Sequence, residues 1–143
     1  MKKKRFLPIT ILLIILLTAC THYPSSPIAP KENSMVINIK NSANFDFYGL
    51  QAHILNHSAT VVNADDSKIE KGDLLSFELL EEDIPLNGIV EMNVEILGRN
   101  SKEKSKYSVP INKKVTLELD NKKEVFFEIT GDSIKQVNLK RVK

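Results

Sequence analysis

The chain has no tryptophan, a single cysteine and five glycines in 143 residues. One cysteine, Cys20, excludes an intrachain disulfide and so excludes a disulfide-stapled scaffold. The absent tryptophan and the absent cysteine pair remove the two marks of a true immunoglobulin domain. No Gly-rich phosphate loop, Gly-x-Ser-x-Gly elbow or HExxH pair occurs. Neither a Ser-His-Asp set nor a pair of carboxylates falls in a recognisable frame, so the sequence points away from an enzyme. A long apolar run is missing too. Phe6 to Ala19 covers 14 residues and contains Pro8, whereas a spanning helix needs about 20 apolar residues.

What is present begins at the amino terminus. Lys2, Lys3, Lys4 and Arg5 precede that short apolar stretch, which ends in Leu17-Thr18-Ala19-Cys20. A basic segment, a short apolar core and small residues before a cleavage point are the parts of a secretory signal. The stretch resembles the signal peptide of bacterial lipoproteins, whose lipobox reads Leu, a small or hydroxyl residue, Ala or Gly, then Cys. The resemblance implies three steps. A diacylglyceryl group joins the Cys20 thiol, a signal peptidase II-type enzyme cuts between Ala19 and Cys20, and the new amino terminus is acylated. The thiolate is the nucleophile such a transfer needs. Two or more acyl chains hold a protein stably at a bilayer, where one chain binds marginally. Thr21 follows the cysteine, where the family's inner-membrane retention signal usually has Asp. The resemblance therefore implies a lipid-anchored protein on the extracytoplasmic face, at the cell membrane or, in a two-membrane bacterium, the outer membrane.

Three parts follow: a signal peptide at 1–19, a lipidated cysteine with a tether at 20–34, and a domain at 35–143. In the tether, Pro24, Pro27 and Pro30 recur at every third residue. Proline fixes φ and lacks an amide donor, so this segment is extended and solvated. At about 3.1 Å per residue, Thr21 to Ser34 reaches some 40 Å. Removal of the signal takes four basic residues from a chain with 20 Lys and Arg against 18 Asp and Glu, which leaves 16 against 18 and a net charge of −2. The basic character of the whole chain thus belongs mostly to the signal and does not point to nucleic acid.

Within the domain the dominant pattern has a period of two. Met35, Ile37 and Ile39 alternate with Val36, Asn38 and Lys40. The same alternation runs through Tyr48–Ile54, Val90–Ile96, Val115–Leu119, Val125–Ile129 and Val137–Lys140. It predicts half-buried antiparallel strands. Weaker strands are expected at Thr60–Asn63 and Leu74–Leu80, and the turn residues Asp120-Asn121-Lys122-Lys123 predict a hairpin between their flanking strands. Seven or eight short strands predict an all-β, antiparallel β-sandwich of immunoglobulin-like size, with a small β-barrel as the alternative. Tyr48–Asn56 also tolerates a short helix, and Glu81–Leu86 a helical turn.

Candidate chemistry is sparse. Residues 35–98 hold 11 acidic and 3 basic side chains, and residues 99–143 hold 12 basic and 6 acidic. Either a basic region meets an anionic surface, or antiparallel neighbours pair the two signs across strands, which is the plainer expectation. Asn63, Asp65 and Ser67 have the spacing of calcium ligands, but no glycine follows and Lys68 intrudes. His53 and His57 stand four apart. On one strand they are outward and roughly 13 Å apart, too far for a shared ion. No metal or cofactor is therefore expected.

The function expected is a non-catalytic interaction module. The membrane is held through Cys20, and the partner is an unidentified envelope protein or polymer rather than nucleic acid. A carrier of a small apolar ligand is the alternative and requires a barrel with an unfilled interior. Mass spectrometry of the membrane-bound protein is expected to show a chain that starts at Cys20 and carries diacylglyceryl. Protease added to intact cells or spheroplasts is expected to reach the domain. A Cys20→Ala chain that matures normally and stays equally membrane-bound contradicts the lipobox reading.

Overall fold

A computed structural model of the protein describes residues 27–100, 105–111 and 113–142. Leu17, Thr18, Ala19 and Cys20 lie outside these residues, as does the first part of the tether. Residues 27–33 belong to no strand.

The described residues form nine strands: β1 (Ser34–Asn41), β2 (Gly49–Ile54), β3 (His57–Val62), β4 (Leu74–Leu80), β5 (Ile89–Asn100), β6 (Ser105–Pro110), β7 (Val115–Glu118), β8 (Glu124–Thr130) and β9 (Asn138–Arg141). A 3-10 turn at Ile134–Gln136 precedes β9. One sheet has four strands in the order β4-β1-β8-β9. The other has five, in the order β3-β2-β5-β6, with β7 also on β5. β5 is long enough to hold two neighbours along one edge: β6 pairs Glu95–Asn100 and β7 pairs Ile89–Met92.

The core is what the alternation encodes. Met35, Ile37 and Ile39 of β1 and Val125, Phe127 and Ile129 of β8 meet Leu50, Ala52 and Ile54 of β2 and Met92, Val94 and Ile96 of β5. All twelve are buried. Each fully buried aliphatic or aromatic side chain contributes about 1.5–3 kcal/mol, offset by the entropy of ordering the chain. The two sheets do not close on each other. The molecule is thus the expected all-β sandwich, and the barrel is not formed, because β3, β4, β6, β7 and β9 remain edges.

Six of the nine strands lie where the alternation places them, β4 fills the weaker run Leu74–Leu80, and β3 overlaps the expected Thr60–Asn63 but begins earlier, at His57. The ninth, β6, reads SKYSVP and is exposed along most of its length, so it has no buried face to leave a periodic mark. Three details differ from the expectation. First, β1 and β8 run parallel, and the sandwich is not purely antiparallel. Second, Asp120–Lys123 is not a hairpin. β7 pairs with β5 and β8 with β1, so this turn carries the chain from one sheet to the other. Leu119 is buried at the crossing point and its N–H donates to Gly88 O at 2.8 Å. Alternation shows which residues face inward but not which sheet receives the next strand. Third, β2 stops at Ile54, and Leu55-Asn56 turns it into β3 at His57. Tyr48–Asn56 is therefore neither a helix nor one uninterrupted strand. At Glu81–Leu86 a single turn forms, with Ile84 N–H donating to Leu80 O at 3.1 Å.

Phe127 is 1% exposed and faces the opposite sheet, whereas Ile89 at the start of β5 is 74% exposed. In urea titrations Phe127→Ala is expected to lose about 3–5 kcal/mol of unfolding free energy. Ile89→Thr is expected to stay within about 0.5 kcal/mol of the parent. Equal losses contradict the placement of the core.

Candidate functional site

The strand directions give the sandwich two ends. The root end holds the start of β1, where the tether arrives. There Lys122 N–H donates to Ser34 O, Glu81 N–H to Asn33 O and Leu119 N–H to Gly88 O. The far end holds the close of β1, the segment 42–48, the loop after β3 and the β5–β6 edge. It is joined by bonds from Ser42 N–H to Ile129 O, Tyr48 N–H to Leu97 O and Ile69 N–H to Phe47 O. Eight residues of β1 separate the two ends by about 26 Å.

Charged and aromatic side chains converge at the far end. Arg99 and Lys106 are cross-strand partners on β5 and β6, which puts both side chains on the outer face of the sheet. Asp66, in the loop after β3, sits between them. Arg99 Nη2 donates to Asp66 Oδ2, and Lys106 Nζ lies 3.2 Å from Oδ1. The Arg99 guanidinium also stands 5.6 Å above the Tyr48 ring, within cation–π range. The hydrogen bond from Lys106, reinforced by the charges of Arg99 and Lys106, holds the Asp66 carboxyl below the usual carboxylate range.

Two strand glycines shape this end. A Cβ on Gly98 would lie 2.2 Å from Tyr107 Cζ. Gly98 thus lets the Tyr107 ring lie flat over the strand, with 46% of Tyr107 left exposed. At Gly49 a Cβ would meet Val62 Cγ1 at 2.6 Å and Leu97 Cδ1 at 3.3 Å, so the side chains of Val62 and Leu97 close over a bare backbone. Glycine inside an alternating strand marks close approach, and both positions are legible in the sequence as that signal. The pairing of Asp66 with Arg99 is not, since 33 residues separate them.

The readings of the candidate residues resolve as follows. His53 and His57 are not on one face. His53 pairs with Ser58 and His57 with Ile54 across the hairpin; Ile54 faces the core, so the two rings lie on opposite sides of the sheet. The two-residue turn resets the parity on which the single-strand reading depended. His53 Nδ1 and Ser58 Oγ share a hydrogen bond at 2.8 Å, and Nε2 is 3.6 Å from Glu95 Oε1. In the Asn63–Ser67 loop the oxygens serve the loop itself. Asp65 Oδ1 accepts from Ser67 N–H at 3.0 Å, and Ser67 Oγ accepts from Asn63 Nδ2 at 2.9 Å. Ser67 holds the Asp65 carboxyl below its ordinary range.

The charges that segregate along the sequence meet in space. Arg99 and Lys106 reach Asp66, and Lys114 reaches Glu91 at 3.0 Å. The two signs thus meet at these residues, though through the loop that holds Asp66 and the segment before β7 that holds Lys114 rather than between paired strands. At the root end, Lys31, Glu32, Asn33, Ser34, Leu80 and Glu81 line a solvent-open groove of about 520 Å³. The neighbouring Glu82 and Asp83 are exposed.

Comparison of the chain with protein-family models, with curated proteins and with solved structures gave no match.

Because the Asp66 pKa is lowered by folding, its ion pairs contribute fully above the ordinary Asp value of about 3.9 and fade as pH falls through the folded value. Asp66→Asn is expected to lower the urea midpoint at pH 7. The gap from the parent is expected to close in acid below the carboxylate range, and to shrink in high salt because the pairs are exposed. A gap independent of pH contradicts the ion-pair assignment.

Proposed function

We propose that the protein is a lipid-anchored, non-catalytic binding module on the extracytoplasmic face of a bacterial envelope, and that the far end of its sandwich is the contact surface for a protein partner. The observation that carries this reading is the cluster of Tyr48, Arg99, Asp66 and Lys106 at the end remote from the tether. Tyrosine and arginine are among the side chains most enriched where protein interfaces concentrate their binding energy, and tyrosine offers large area at modest entropic cost.

The charge balance favours a protein over an anionic polymer. Arg99 and Lys106 both face Asp66, so the cluster is not a naked cationic patch. A mixed-sign, aromatic surface suits a partner that itself offers both donors and acceptors. The tether gives the geometry a purpose. Its reach of some 40 Å and the length of the sandwich both separate the cluster from the bilayer.

The ligand-carrier alternative loses its premise. It needs a barrel with a hollow interior, and the interior here is occupied by Phe47, Phe127, Met35 and Met92, all at most 1% exposed.

The test is site-specific photocrosslinking in intact cells. A photoreactive residue at Ser108, exposed on the same face of β6 as Lys106, is expected to give a discrete protein adduct, lost in an Arg99→Ala/Lys106→Ala background, whereas the same probe at Ile89 gives none. Adducts as strong from Ile89 as from Ser108 contradict the assignment. A heterogeneous polymer smear in place of a band transfers the surface to an envelope polymer.

A further inference from the structure

The five edge strands of the sandwich, β3, β4, β6, β7 and β9, are not equally protected. An open edge exposes unpaired N–H and C=O groups and recruits other strands, and proteins blunt such edges with charge, proline or brevity. β7 has four residues and includes Glu118, and β9 has four residues and includes Lys140 and Arg141. β6 carries Lys106 and ends at Pro110. Along β4, Lys31 from the incoming segment lies over Glu78, at 3.3 Å. β3 reads HSATVV and has none of these devices. It holds no Asp, Glu, Lys, Arg or Pro, and Thr60, Val61 and Val62 favour extended backbone.

The register states which groups β3 leaves open. The two-residue turn makes Ile54 and His57 the closing pair, followed by Ala52 with Ala59 and Leu50 with Val61. In an antiparallel pair alternate residues exchange both backbone bonds, so His57, Ala59 and Val61 bond to β2. Ser58, Thr60 and Val62 direct their N–H and C=O groups away from the sheet. Their side chains lie on the outer face and all three residues are exposed.

We propose that this edge pairs with β3 of a second copy of the chain, antiparallel and centred on Thr60. Thr60 then faces Thr60 of the second copy, and Ser58 faces its Val62 on either side. Three pairs exchange six backbone bonds, and the two five-stranded sheets become one. The occupant is a second copy because the strand is complementary to itself. Its open positions are odd in number, so a two-fold axis passes through the middle one, and no charge opposes its own image. Self-pairing of β9 would crowd Lys140 and Arg141 of both copies into a span of four residues. Val62, 48% exposed, gains a neighbour in Ser58 of the second copy. This inference does not depend on the proposed partner at the far end. The antiparallel arrangement sets one root end beside one far end. A tether of some 40 Å exceeds the strand length of about 26 Å, so both copies reach one bilayer while one far end still faces outward.

The test uses the full chain in its native membrane. In an antiparallel bonded pair the Cα atoms lie about 5.5 Å apart, inside the range a disulfide spans. Thr60→Cys is expected to give a disulfide-linked species of doubled mass on a non-reducing gel. The parent chain and Thr116→Cys, an exposed control on β7, are expected to run as monomers. In detergent, Thr60→Pro is expected to halve the particle mass and retain the β-type circular dichroism, since this residue's N–H is not used by β2. Should the proline variant unfold, Thr60→Lys gives the same readout by like-charge opposition. The proposal is overturned if Thr60→Cys stays monomeric, if it links to a chain of another mass, if Thr116→Cys links equally, or if the parent is monomeric in detergent.

Discussion

The place of β1 at the centre of the four-stranded sheet is the constraint from which the rest of the molecule follows. β1 pairs antiparallel with β4 and parallel with β8, and so it joins the early and late halves of the domain. A parallel partner cannot follow through a tight turn. The chain must build the second sheet first and return, which it does at Leu119 to Lys123. The return is held by two bonds to β1 and its flank: Lys122 N–H to Ser34 O and Val36 N–H to Lys123 O at 2.9 Å each. With β1 fixed between its neighbours, Met35, Ile37 and Ile39 face a sheet whose own inward residues arrive from β2 and β5. Such long-range pairing predicts slow folding relative to helical domains of equal size.

Charge in this protein is organised by topology more than by sequence. The acidic first half and the basic second half look like two separate fields. Folding brings β5 and β6 beside the loop after β3, and the fields largely cancel where they meet. Asp66 receives both Arg99 and Lys106, Glu91 receives Lys114, and within the basic half Glu128 receives Lys140 and Ser42 while Glu118 receives Lys123. Hydrogen bonds from Ser42 and Lys140 hold Glu128 below its ordinary range, and Lys123 does the same for Glu118. Exposed pairs of this kind each stabilise weakly. Their main consequence is that, among the described residues, Arg99 and Lys106 at the far end are offset by Asp66, and this bears on which class of partner that end suits.

How much of this was legible follows from what periodicity encodes. A strand with one buried face writes its register into the sequence, and β1, β2, β4, β5 and β8 are read directly. β6 has no buried face, so SKYSVP looks like the solvated loop before it. The turn at Asp120–Lys123 has hairpin residues, yet its strands lie in different sheets. Turn chemistry reports local backbone geometry and carries nothing about the destination. The histidines show how far a single insertion propagates. The turn at Leu55-Asn56 swaps the face of every later residue, and His57 leaves the side on which His53 lies. Leu55 adopts φ +53° there, a conformation that an unbranched polar residue or glycine adopts more cheaply; no pattern of apolar spacing announces a turn at such a residue. The far-end cluster was the least legible feature, because Tyr48, Asp66 and Arg99 become neighbours only through the pairing of β5 with β2 and of β2 with β3.

The two glycines at the far end connect the fold to the surface it offers. In most sheets an interior glycine weakens the strand, because it packs nothing and orders a flexible backbone. Gly49 and Gly98 sit in the two central strands of the five-stranded sheet, where such a loss is felt most. Each is answered by a side chain from the adjoining edge strand. Val62 of β3 covers Gly49 and Tyr107 of β6 covers Gly98. The edge strands are thereby locked to the centre by side-chain packing as well as by backbone bonds, and the aromatic and apolar groups that lock them remain about half exposed. A larger residue at either glycine would displace its cover toward solvent and loosen the edge. The same arrangement that secures β6 holds Tyr107 over Gly98, on the face of the strand opposite to Lys106, so that β6 is anchored on one face by this ring while its other face carries the lysine that meets Asp66. A partner that docks there meets a strand whose entropy has already been surrendered to the fold.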